Sequence, residues 1–386
     1  MQKFFKLWIV IVVLPVFSMA NTYFEDDKPS KKNHYKNRNF HKIAPIEIDK
    51  TKLANDKVKN IIFFIGDGMG SAHVQAALTA NKGELYMAQC PVSGQVTTHA
   101  FDNFITDSAA GGSAFSTGEK TRNGYIGLNR NGRRLPTIVE LANKNGMATG
   151  IIATSKINHA TPAAFMAHQT SRLMYEEIAL DIAQSNVDVL IGGGSHNFSV
   201  RVDKRNLLEE MAGRGYHVIQ NYDSLWNTQH SKIVALLTSE HLPRVVNRKG
   251  DELVNAVEKS IEVLSRNDKG FFMMVEGSQI DWASHDNNMA FIVEEMLEFD
   301  RAIGKALEFA AKDGETLVFI TADHETGGLT LLDGNQKRGS VTGAFSTIGH
   351  TGVMVPSFAF GAGAVHLGGI IDNTDVFHIF KSLLGF

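Results

Sequence analysis

Three short segments of the sequence place acidic residues directly after apolar runs. One reads Gly-Asp-Gly-Met-Gly around Asp67, one runs from Glu276 to Asp281, and one reads Ala-Asp-His-Glu around Asp323. A single acidic residue in such a place is commonly a turn residue or a helix cap. Three of them at one edge of a sheet would concentrate negative charge, which is unfavourable unless cations bind there. We therefore expect a metal site.

Histidines near these carboxylates narrow the choice of metal. Asp281 and His285 are four residues apart, so on a helix their side chains share one face and could chelate one ion. His350 lies in Gly-His-Thr-Gly and is a candidate third ligand. Oxygen and imidazole ligands together suit Zn²⁺, whereas all-oxygen positions suit Mg²⁺. Three other histidines stay open as ligands: His73, His99 and His168.

Ser108 and Arg172 are candidates for handling a phosphoryl group. The segment Thr-Asp-Ser-Ala-Ala-Gly-Gly around Ser108 is typical of a turn that opens a helix. Ser108 could simply cap that helix, but a helix N-terminus also favours an alkoxide or a bound anion. The guanidinium of Arg172 fits two phosphoryl oxygens, and a surface salt bridge is an equally good interpretation.

The elements that position these residues repeat one theme, a short apolar run followed by an amphipathic helix. Continuous apolar runs such as Ile-Ile-Phe-Phe-Ile are typical of parallel strands covered on both faces. The predicted strands are 60–65, 148–153, 188–191, 271–275 and 316–321, and residues 288–311 are predicted to form a helix. We predict an α/β fold with a doubly wound, mostly parallel central sheet, helices on both faces and the metal site at the C-terminal strand edge.

Length and composition exclude several classes of protein. The chain has 386 residues, of which 43% are hydrophobic, and this content excludes a largely disordered chain. The net charge is −3, so no excess of basic residues is available to follow a nucleic-acid backbone. The single cysteine, Cys90, excludes an intrachain disulfide.

The first residues have the pattern of an export signal. Two lysines precede the apolar run 7–17, which ends at Ser-Met-Ala, and we expect cleavage after Ala20. Eleven apolar residues are too few to span a bilayer, so we expect no membrane span in the mature protein and an exported, periplasmic or secreted location. Residues 21–55 are predicted to be a polar, mobile arm or linker, and residues 56–386 a single catalytic domain.

Six motifs, in order, give the chain a resemblance to the alkaline phosphatase family from about residue 60 to residue 364. They are GDGMG, TDSAAGGSA, NHATPAAF with an arginine downstream, VEGSQIDWASH, TADHETGG and GHTGVMVP. Six independent motifs in one order are specific. The resemblance implies hydrolysis of small phosphate monoesters to an alcohol and inorganic phosphate, through a phosphoserine intermediate, with two Zn²⁺ and one Mg²⁺ per subunit.

The resemblance also implies a role for each matching residue. Ser108 would be the nucleophile and Arg172 the phosphate clamp, steadied by Asp107. The first zinc would be held by Asp281, His285 and His350, the second by Asp323, His324 and Asp67, and the magnesium by Asp67, Thr161 and Glu276. In-line phosphoryl transfer between two metals agrees with these roles, because the chemistry needs positioning and charge cancellation more than covalent help.

Two departures from the best-known bacterial pattern lead to further expectations. His159 and Trp282 stand where other members have Asp and Lys, so Mg²⁺ affinity and phosphate release could differ here. Only 25 residues separate His324 from His350, where many members insert a subdomain. We expect a reduced or absent crown, and both a homodimer and a monomer stay open.

Two rival functions remain to be weighed against a monoesterase. A phosphodiesterase or sulfatase relative could share the two-metal plan. However, the sulfatase motif C/S-x-P-x-R is not found around Ser108, and a diesterase would be expected to lack Arg172, Thr161 and Glu276. An exported zinc- or phosphate-binding protein without turnover would not need Ser108. A small open site of metals and one arginine recognises the phosphoryl group and little else, so broad specificity is expected and transfer to acceptor alcohols is plausible.

Overall fold

The computed structural model describes residues 33–386, and the predicted signal peptide 1–20 lies outside the described residues. The strands of the described part are β1 (His34–Lys36), β2 (Asn60–Gly66), β3 (Val92–Thr97), β4 (Ala148–Lys156), β5 (Val189–Gly193), β6 (His217–Ile219), β7 (Ile233–Leu236), β8 (Phe271–Gly277), β9 (Thr316–Thr321), β10 (Glu325–Thr326), β11 (Leu329–Asn335), β12 (Ser340–Phe345), β13 (His350–Thr351), β14 (Val355–Gly361) and β15 (Gly369–Asp372).

Helices follow or precede most of these strands. They are α1 (Ser71–Ala80), α2 (Ser108–Thr117), α3 (Ile138–Lys144), α4 (Ala160–Ala163), α5 (Tyr175–Gln184), α6 (Ser195–Ser199), α7 (Leu207–Gly213), α8 (Tyr222–Asn227), α9 (Glu252–Leu264), α10 (Gln279–His285), α11 (Met289–Asp313) and α12 (Asn373–Leu384).

A twisted sheet of ten strands forms the centre of residues 33–386, in the order β15-β3-β14-β9-β2-β8-β4-β5-β7-β6. The five predicted apolar runs are the neighbours β9, β2, β8, β4 and β5, and these pair in parallel. Every residue of β2, β8 and β9 is buried, which is expected for parallel strands whose sheet is covered by helices on both faces. The predicted α/β class with a mostly parallel sheet is confirmed. β14, which runs antiparallel to β3 and β9, was not anticipated.

The longest helix, α11, corresponds to the helix predicted over 288–311. Asn288 caps its N-terminus by accepting a hydrogen bond from the backbone NH of Phe291, and Gly314 ends it in the left-handed conformation, with φ of 71°. The chain then enters β9, which completes the βαβ unit that began with β8 and carries the site. Across residues 33–386, no helix is both long enough and apolar enough to cross a membrane.

The polar stretch 21–55, predicted to be a mobile arm or linker, lies partly within the described residues. β1 pairs antiparallel with β12, and Asn37 Nδ2 donates to a carbonyl at the end of α1 at 3.2 Å. Tyr35, Ile46 and Ile48 pack against the core. Because these apolar residues lie in a polar stretch without a sustained apolar period, the sequence pattern did not reveal this packing. Part of this stretch is thus packed against the core in the structure, and the mobile arm or linker over 21–55 stays a prediction.

Candidate functional site

Four buried carboxylates meet at the C-terminal edge of the central strands. Asp67 directly follows β2, Glu276 lies near the end of β8, Asp323 follows β9, and Asp281 lies in the first turn of α10. These four side chains are almost wholly buried. Their convergence follows from topology, because β8, β2 and β9 are parallel neighbours and their carboxyl ends share one edge.

Close packing of the loop after β2 depends on Gly68. This residue has φ of +75°, and a Cβ atom there would lie 2.8 Å from Cα of Asp281. A larger residue would therefore push the loop away from α10 as well as strain the backbone. Gly68 also donates its backbone NH to Oδ1 of Asp323 at 3.3 Å. The glycine allows Asp67, Asp281 and Asp323 to approach one another.

Two groups of ligand-type atoms lie within this cluster. In the outer group, Oδ1 of Asp281 is 3.3 Å from Nε2 of His285 and 3.6 Å from Nε2 of His350. In the inner group, Nε2 of His324 is 3.4 Å from Oδ1 of Asp67 and 3.3 Å from Oδ2 of Asp323. Asp281 lies close enough to Asp67 and His324 to belong to both groups. The sequence had associated Asp281 with the outer ion only.

The hydrogen bonds of the three histidines assign their tautomers. Nδ1 of His285 and Nδ1 of His350 each face a backbone carbonyl, which can only accept, so both nitrogens carry the proton. The hydroxyl of Thr326 donates its hydrogen to Oδ1 of Asp281 at 2.6 Å. Its oxygen can therefore only accept from Nδ1 of His324, which lies 3.2 Å away, so this nitrogen carries the proton. In the neutral form each of the three rings therefore turns an unprotonated Nε2 toward the carboxylates, as histidine ligands of metals do.

Burial and mutual repulsion perturb the carboxylates strongly. Burial, followed by the charges of Asp323, Asp281 and Glu276, raises the pKa of Asp67 well above its ordinary value. Burial likewise raises the pKa of Glu276 to about 7 and that of Asp323 to about 8. A cluster of this kind is stabilised in its ionised form by bound cations.

The outer group shows the opposite behaviour. Burial works against ionisation of Asp281, but its hydrogen bond to His285 and the nearby histidines hold the pKa of this carboxyl well below its ordinary value. In turn, the hydrogen bond from His285 to Asp281 raises the pKa of the imidazole to about 9. The negative Asp281 and the protonated His285 thus balance each other's charge. A metal ion bound by both would have to displace the proton on Nε2 of His285.

Unpartnered oxygens give a direct test of whether the cluster fits cations. Within the described part of the chain, Oδ1 of Asp67, Oε1 of Glu276 and Oδ2 of Asp323 are buried and have no hydrogen-bond partner. Buried polar atoms normally have a partner, and orphaned carboxylate oxygens pointing into one cluster fit metal ions. The donor set, three imidazole nitrogens with carboxylate and hydroxyl oxygens, also fits zinc and magnesium.

Ser108 begins α2 and lies beside the inner group. Asp107 caps the helix by accepting from the backbone NH of Ala110 at 2.9 Å, and Oγ of the buried Ser108 lies 3.2 Å from Nε2 of His324. A Cβ atom on Gly111 would lie 3.0 Å from the carbonyl oxygen of Asp323, so a small residue lets the helix start approach the cluster. The hydroxyl therefore stands at the positive end of a helix and next to the candidate metal ligands.

Arg172 reaches the same end of α2 from a loop. Its Nη1 lies 3.1 Å from Oδ2 of Asp107, and its backbone NH donates to the carbonyl of Gly124 at 2.8 Å. Gly124 in turn donates its NH to both carboxylate oxygens of Asp107, each at 3.1 Å. Asp107, which precedes Ser108, thus holds the guanidinium near the start of α2, and the guanidinium has further N–H donors that could bind an anion. Arg172 forms a salt bridge, as the alternative interpretation expected, but this salt bridge lies beside the candidate site.

A third set of oxygens lies on the side of β4 and α4. Thr161 donates its hydroxyl to Oδ2 of Asp67 at 3.3 Å, and Ser155 donates to Oε2 of Glu276 at 3.2 Å. His159 and Trp282 lie next to this set, with ring centroids 6.0 Å apart, and burial lowers the pKa of His159 to about 3. These contacts bring together the residues expected around a magnesium ion.

The three histidines left open by the sequence lie outside the cluster. Nδ1 of His73 accepts from the backbone NH of Gly70, His99 is 3.9 Å from Asp372, and His168 bonds the carbonyl of Leu135. Each has a local structural partner instead of a ligand position. They are not metal ligands in this arrangement.

Three residues near the site were missed by sequence reasoning: Thr326, Ser155 and His241. Thr326 bridges Asp281 and His324, and Ser155 bonds Glu276. The ring of His241 packs 4.5 Å from that of Trp282 and 5.5 Å from that of His159. Thr326 and Ser155 stood within or beside recognisable motifs, which was the available signal, but nothing in the sequence distinguished His241 from a surface histidine.

Comparison with known proteins agrees with this geometry. The family model for alkaline phosphatase matches residues 58–343. The chain is 38% identical to alkaline phosphatase 4 of Bacillus subtilis, with 76% of this chain and 68% of that protein covered. It is 31% identical to the alkaline phosphatase of Escherichia coli, with 86% of this chain and 87% of that protein covered.

A solved structure gives the same result for the fold. The alkaline phosphatase of the Antarctic bacterium TAB5 superimposes with a TM-score of 0.80 at 37% identity, covering 85% of this chain and 98% of that one. The carboxylates, histidines and serine at the strand edge thus lie in a framework that a solved relative shares over nearly its whole length. The chain belongs to the alkaline phosphatase family.

Proposed function

We propose that this phosphoric monoester hydrolase cleaves small phosphate monoesters in two displacements, with Ser108 as the nucleophile and Arg172 as the phosphate clamp. The observation that carries the proposal is the contact of 3.2 Å between Oγ of Ser108 and Nε2 of His324, inside a cluster of four buried carboxylates. A binding protein would have no need of a hydroxyl at this point. The proposed products are an alcohol and inorganic phosphate.

The chain's donor atoms support two zinc positions and one magnesium position. The first zinc would be held by Asp281, His285 and His350, and the second by Asp67, Asp323 and His324, with Asp281 close to both. Magnesium would be held by Asp67, Thr161 and Glu276, with Ser155 orienting Glu276. A variant of the TAB5 enzyme in which a histidine is replaced by glutamate has Mg bound in its M3 site.

Bound cations would lower the pKa of the serine hydroxyl and offset negative charge on the attacking and departing oxygens. The chain's own residues then perform the positioning. Arg172 binds two non-bridging phosphoryl oxygens, and Asp107 holds the guanidinium in place. The backbone NH groups at the start of α2 and its dipole favour the phosphoryl group beside Ser108.

In the first displacement the bond from Oγ of Ser108 to phosphorus forms and the bond from phosphorus to the alcohol oxygen breaks. The proton lost from Ser108 is balanced by the proton that the departing alcohol gains. In the second displacement water attacks the phosphoserine, phosphate leaves, and Ser108 recovers its proton. Two in-line displacements give net retention of configuration at phosphorus.

His159 and Trp282 are proposed to tune magnesium affinity and phosphate release. Their rings lie 6.0 Å apart, and His241 packs against both. His159 directly precedes α4, which contains Thr161, and Trp282 follows the ligand Asp281 in α10. Burial keeps His159 neutral, since its pKa is lowered to about 3. A neutral ring here adds no charge to the carboxylates, unlike an aspartate.

The organisation of the whole chain is also a proposal. We infer an export signal over 1–20, a periplasmic or secreted protein, and one catalytic domain over 56–386. A single hydrophobic cluster in the described residues supports the single domain. The segment between His324 and His350 is only a β11–β12 hairpin with short flanking strands, which supports a reduced or absent crown. Monomer and homodimer are to be distinguished by light scattering.

Hydrolysis of p-nitrophenyl phosphate beside bis-p-nitrophenyl phosphate tests the proposal. Metal-stripped protein is supplied with Zn²⁺ and Mg²⁺, singly and together, and Ser108→Ala is the control variant. We expect the monoester to be cleaved far faster, both metals to be needed for full rate, and Ser108→Ala to lose nearly all of it. Faster cleavage of the diester would contradict the role of Arg172, and tight zinc binding without turnover would favour a binding protein.

A further inference from the structure

The outer ligands of the candidate site are more exposed to solvent than the inner ligands. The inner ligands Asp67 and His324 have side chains exposed by 1% or less, whereas the side chain of His350 is 16% exposed and that of His285 is 38% exposed. A phosphoryl group held at Ser108 would then direct its alcohol portion toward the exposed side, or opening, of the site, where His285, His350 and Arg172 lie. Whatever surrounds that opening contacts the alcohol.

Three segments around the opening carry large apolar side chains that are exposed. They hold six of the fourteen exposed large apolar residues in the described chain, and we call these six the apolar rim: Phe104, Ile105, Leu173, Ile348, Val353 and Met354. Phe104, Leu173 and Ile348 are each exposed by 70% or more. Single exposed apolar residues are ordinary, but several around one opening are characteristic of a binding surface.

Contacts with the site hold the rim in place. Nδ1 of His350 donates to the carbonyl of Thr106 at 2.9 Å, which joins the segment of Phe104 to the metal-ligand loop. The ring of Phe104 also lies against Gly352, where a Cβ atom would come within 2.2 Å of it. The carbonyl of Ile348 accepts from Nδ1 of His285. Leu173 directly follows the clamp residue Arg172. The segments of Phe104 and Ile348 are therefore held by the same bonds that orient the histidine ligands.

We propose that the apolar rim binds the alcohol portion of the substrate and makes the enzyme prefer phosphate monoesters of aliphatic and aromatic alcohols over those of small or polar alcohols. This inference rests on the proposed function of the site and replaces the expectation of a site that recognises the phosphoryl group alone. The rim borders the opening through which substrate must pass, so a second copy of the chain seated on it would block turnover. The substrate is the occupant compatible with both features.

A series of unbranched alkyl phosphates tests the preference, because their alcohols have similar acidity and differ in apolar length. The assay measures kcat/KM from release of inorganic phosphate with the metal-loaded full chain. Complete burial of one methylene corresponds to about a fourfold gain in affinity. The rim covers an open surface, so about half of that free energy, or about twofold per methylene, is expected. Hexyl phosphate has four more methylenes than ethyl phosphate and should then exceed it by about fifteenfold in kcat/KM.

Variants of the rim show whether it causes the difference. Phe104→Ser and Ile348→Ser should each lower the hexyl-to-ethyl ratio by about twofold to threefold, since each removes one wall of the rim. Val202→Ser is the matched control, because Val202 is 88% exposed and lies in the loop between α6 and α7, outside the rim. This control should leave the ratio unchanged.

Several results would overturn the inference. A hexyl-to-ethyl ratio near one in the unaltered protein, with both esters hydrolysed, would refute the rim and leave the proposed function intact. A rim variant that converts a dimer to a monomer without changing the ratio would assign the rim to self-association. Failure of both alkyl phosphates to release phosphate would refute the proposed function itself, and this inference with it.

Discussion

Replacement of Thr326 by valine is expected to weaken binding at the inner metal position without changing any ligand. The hydroxyl of Thr326 is buried, donates to Oδ1 of Asp281 at 2.6 Å and accepts from Nδ1 of His324 at 3.2 Å. Valine has nearly the same shape, so packing is preserved while both hydrogen bonds are lost. Nδ1–H of His324 is then left without an acceptor in the tautomer whose Nε2 is free to bind a metal.

The magnitude follows from the cost of an unsatisfied buried donor. Such a group costs about 1–3 kcal/mol. Without metal, the imidazole of His324 can move its proton to Nε2, where the carboxylates of Asp67 and Asp323 accept it. The cost therefore falls on the metal-bound state. It corresponds to roughly 5- to 150-fold weaker zinc binding, in line with the 10- to 100-fold effects typical of groups that orient metal ligands.

Zinc titration against a competing chelator measures this effect, with activity recorded at each free zinc concentration. We expect the activity curve of Thr326→Val to shift to higher zinc, with most of the rate recovered at saturation. Thr326→Ser is the matched control, because it keeps the hydroxyl and loses only a methyl group. Zinc affinity of Thr326→Val equal to that of the unaltered protein, or a loss equally large in Thr326→Ser, would refute the reasoning.

Three further predictions concern the clamp, the core and pH. Asp107→Asn keeps a helix cap but removes the charge beside Arg172, so kcat/KM should fall by roughly tenfold to a hundredfold with little loss of stability. Asp107→Ala also removes the cap, so its free energy of unfolding in urea should in addition fall by about 1 kcal/mol. Arg248→Met leaves the buried carboxylates of Glu295 and Glu298 without their cation. The free energy of unfolding, measured in urea, should therefore fall by about 3–5 kcal/mol. Replacement of Arg248, Glu295 and Glu298 together by apolar residues should restore it. In metal-stripped protein the pKa values of Glu276, about 7, and Asp323, about 8, are raised, so these groups hold more protons in the folded state than in the unfolded state. Between about pH 6.5 and 8 the buried histidines with lowered pKa values, such as His73 and His159, are neutral in both states and do not oppose this difference. The Tm of metal-stripped protein should therefore fall as pH rises through this window, and the fall should be reduced by Zn²⁺ and Mg²⁺; a Tm that rises with pH would contradict the assignment.

Prediction of the fold succeeded where burial leaves a strong pattern and failed where pairing depends on distant residues. β2, β8 and β9 are continuous apolar runs because both faces are covered, and the sequence displays this directly. β14 reads Val-Pro-Ser-Phe-Ala-Phe-Gly, and nothing local reveals that it runs antiparallel between β3 and β9. β1 contributes only three residues, and its pairing with β12 spans about three hundred positions.

The same distinction applies to the site. Asp67, Asp281 and Asp323 could be recognised because each stands at a strand end or one helical turn from a histidine. The roles of Ser155 and His241 depend on contacts between segments more than eighty residues apart. Hydrogen bonds that fix the histidine tautomers are equally non-local, since the partners of His285 and His350 are carbonyls of remote loops.

The position of His324 beside Ser108 invites comparison with a serine–histidine pair, and its surroundings argue against that chemistry. In a serine–histidine–aspartate triad the carboxylate lies on the far side of the ring and accepts from Nδ1–H. Here Nδ1 faces the hydroxyl of Thr326, while Asp67 and Asp323 lie on the Nε2 side together with Ser108. Lone pairs from nitrogen and two carboxylates thus converge near the serine oxygen. Such convergence is unfavourable without a cation and fits a metal as the activator of Ser108, with His324 as its ligand.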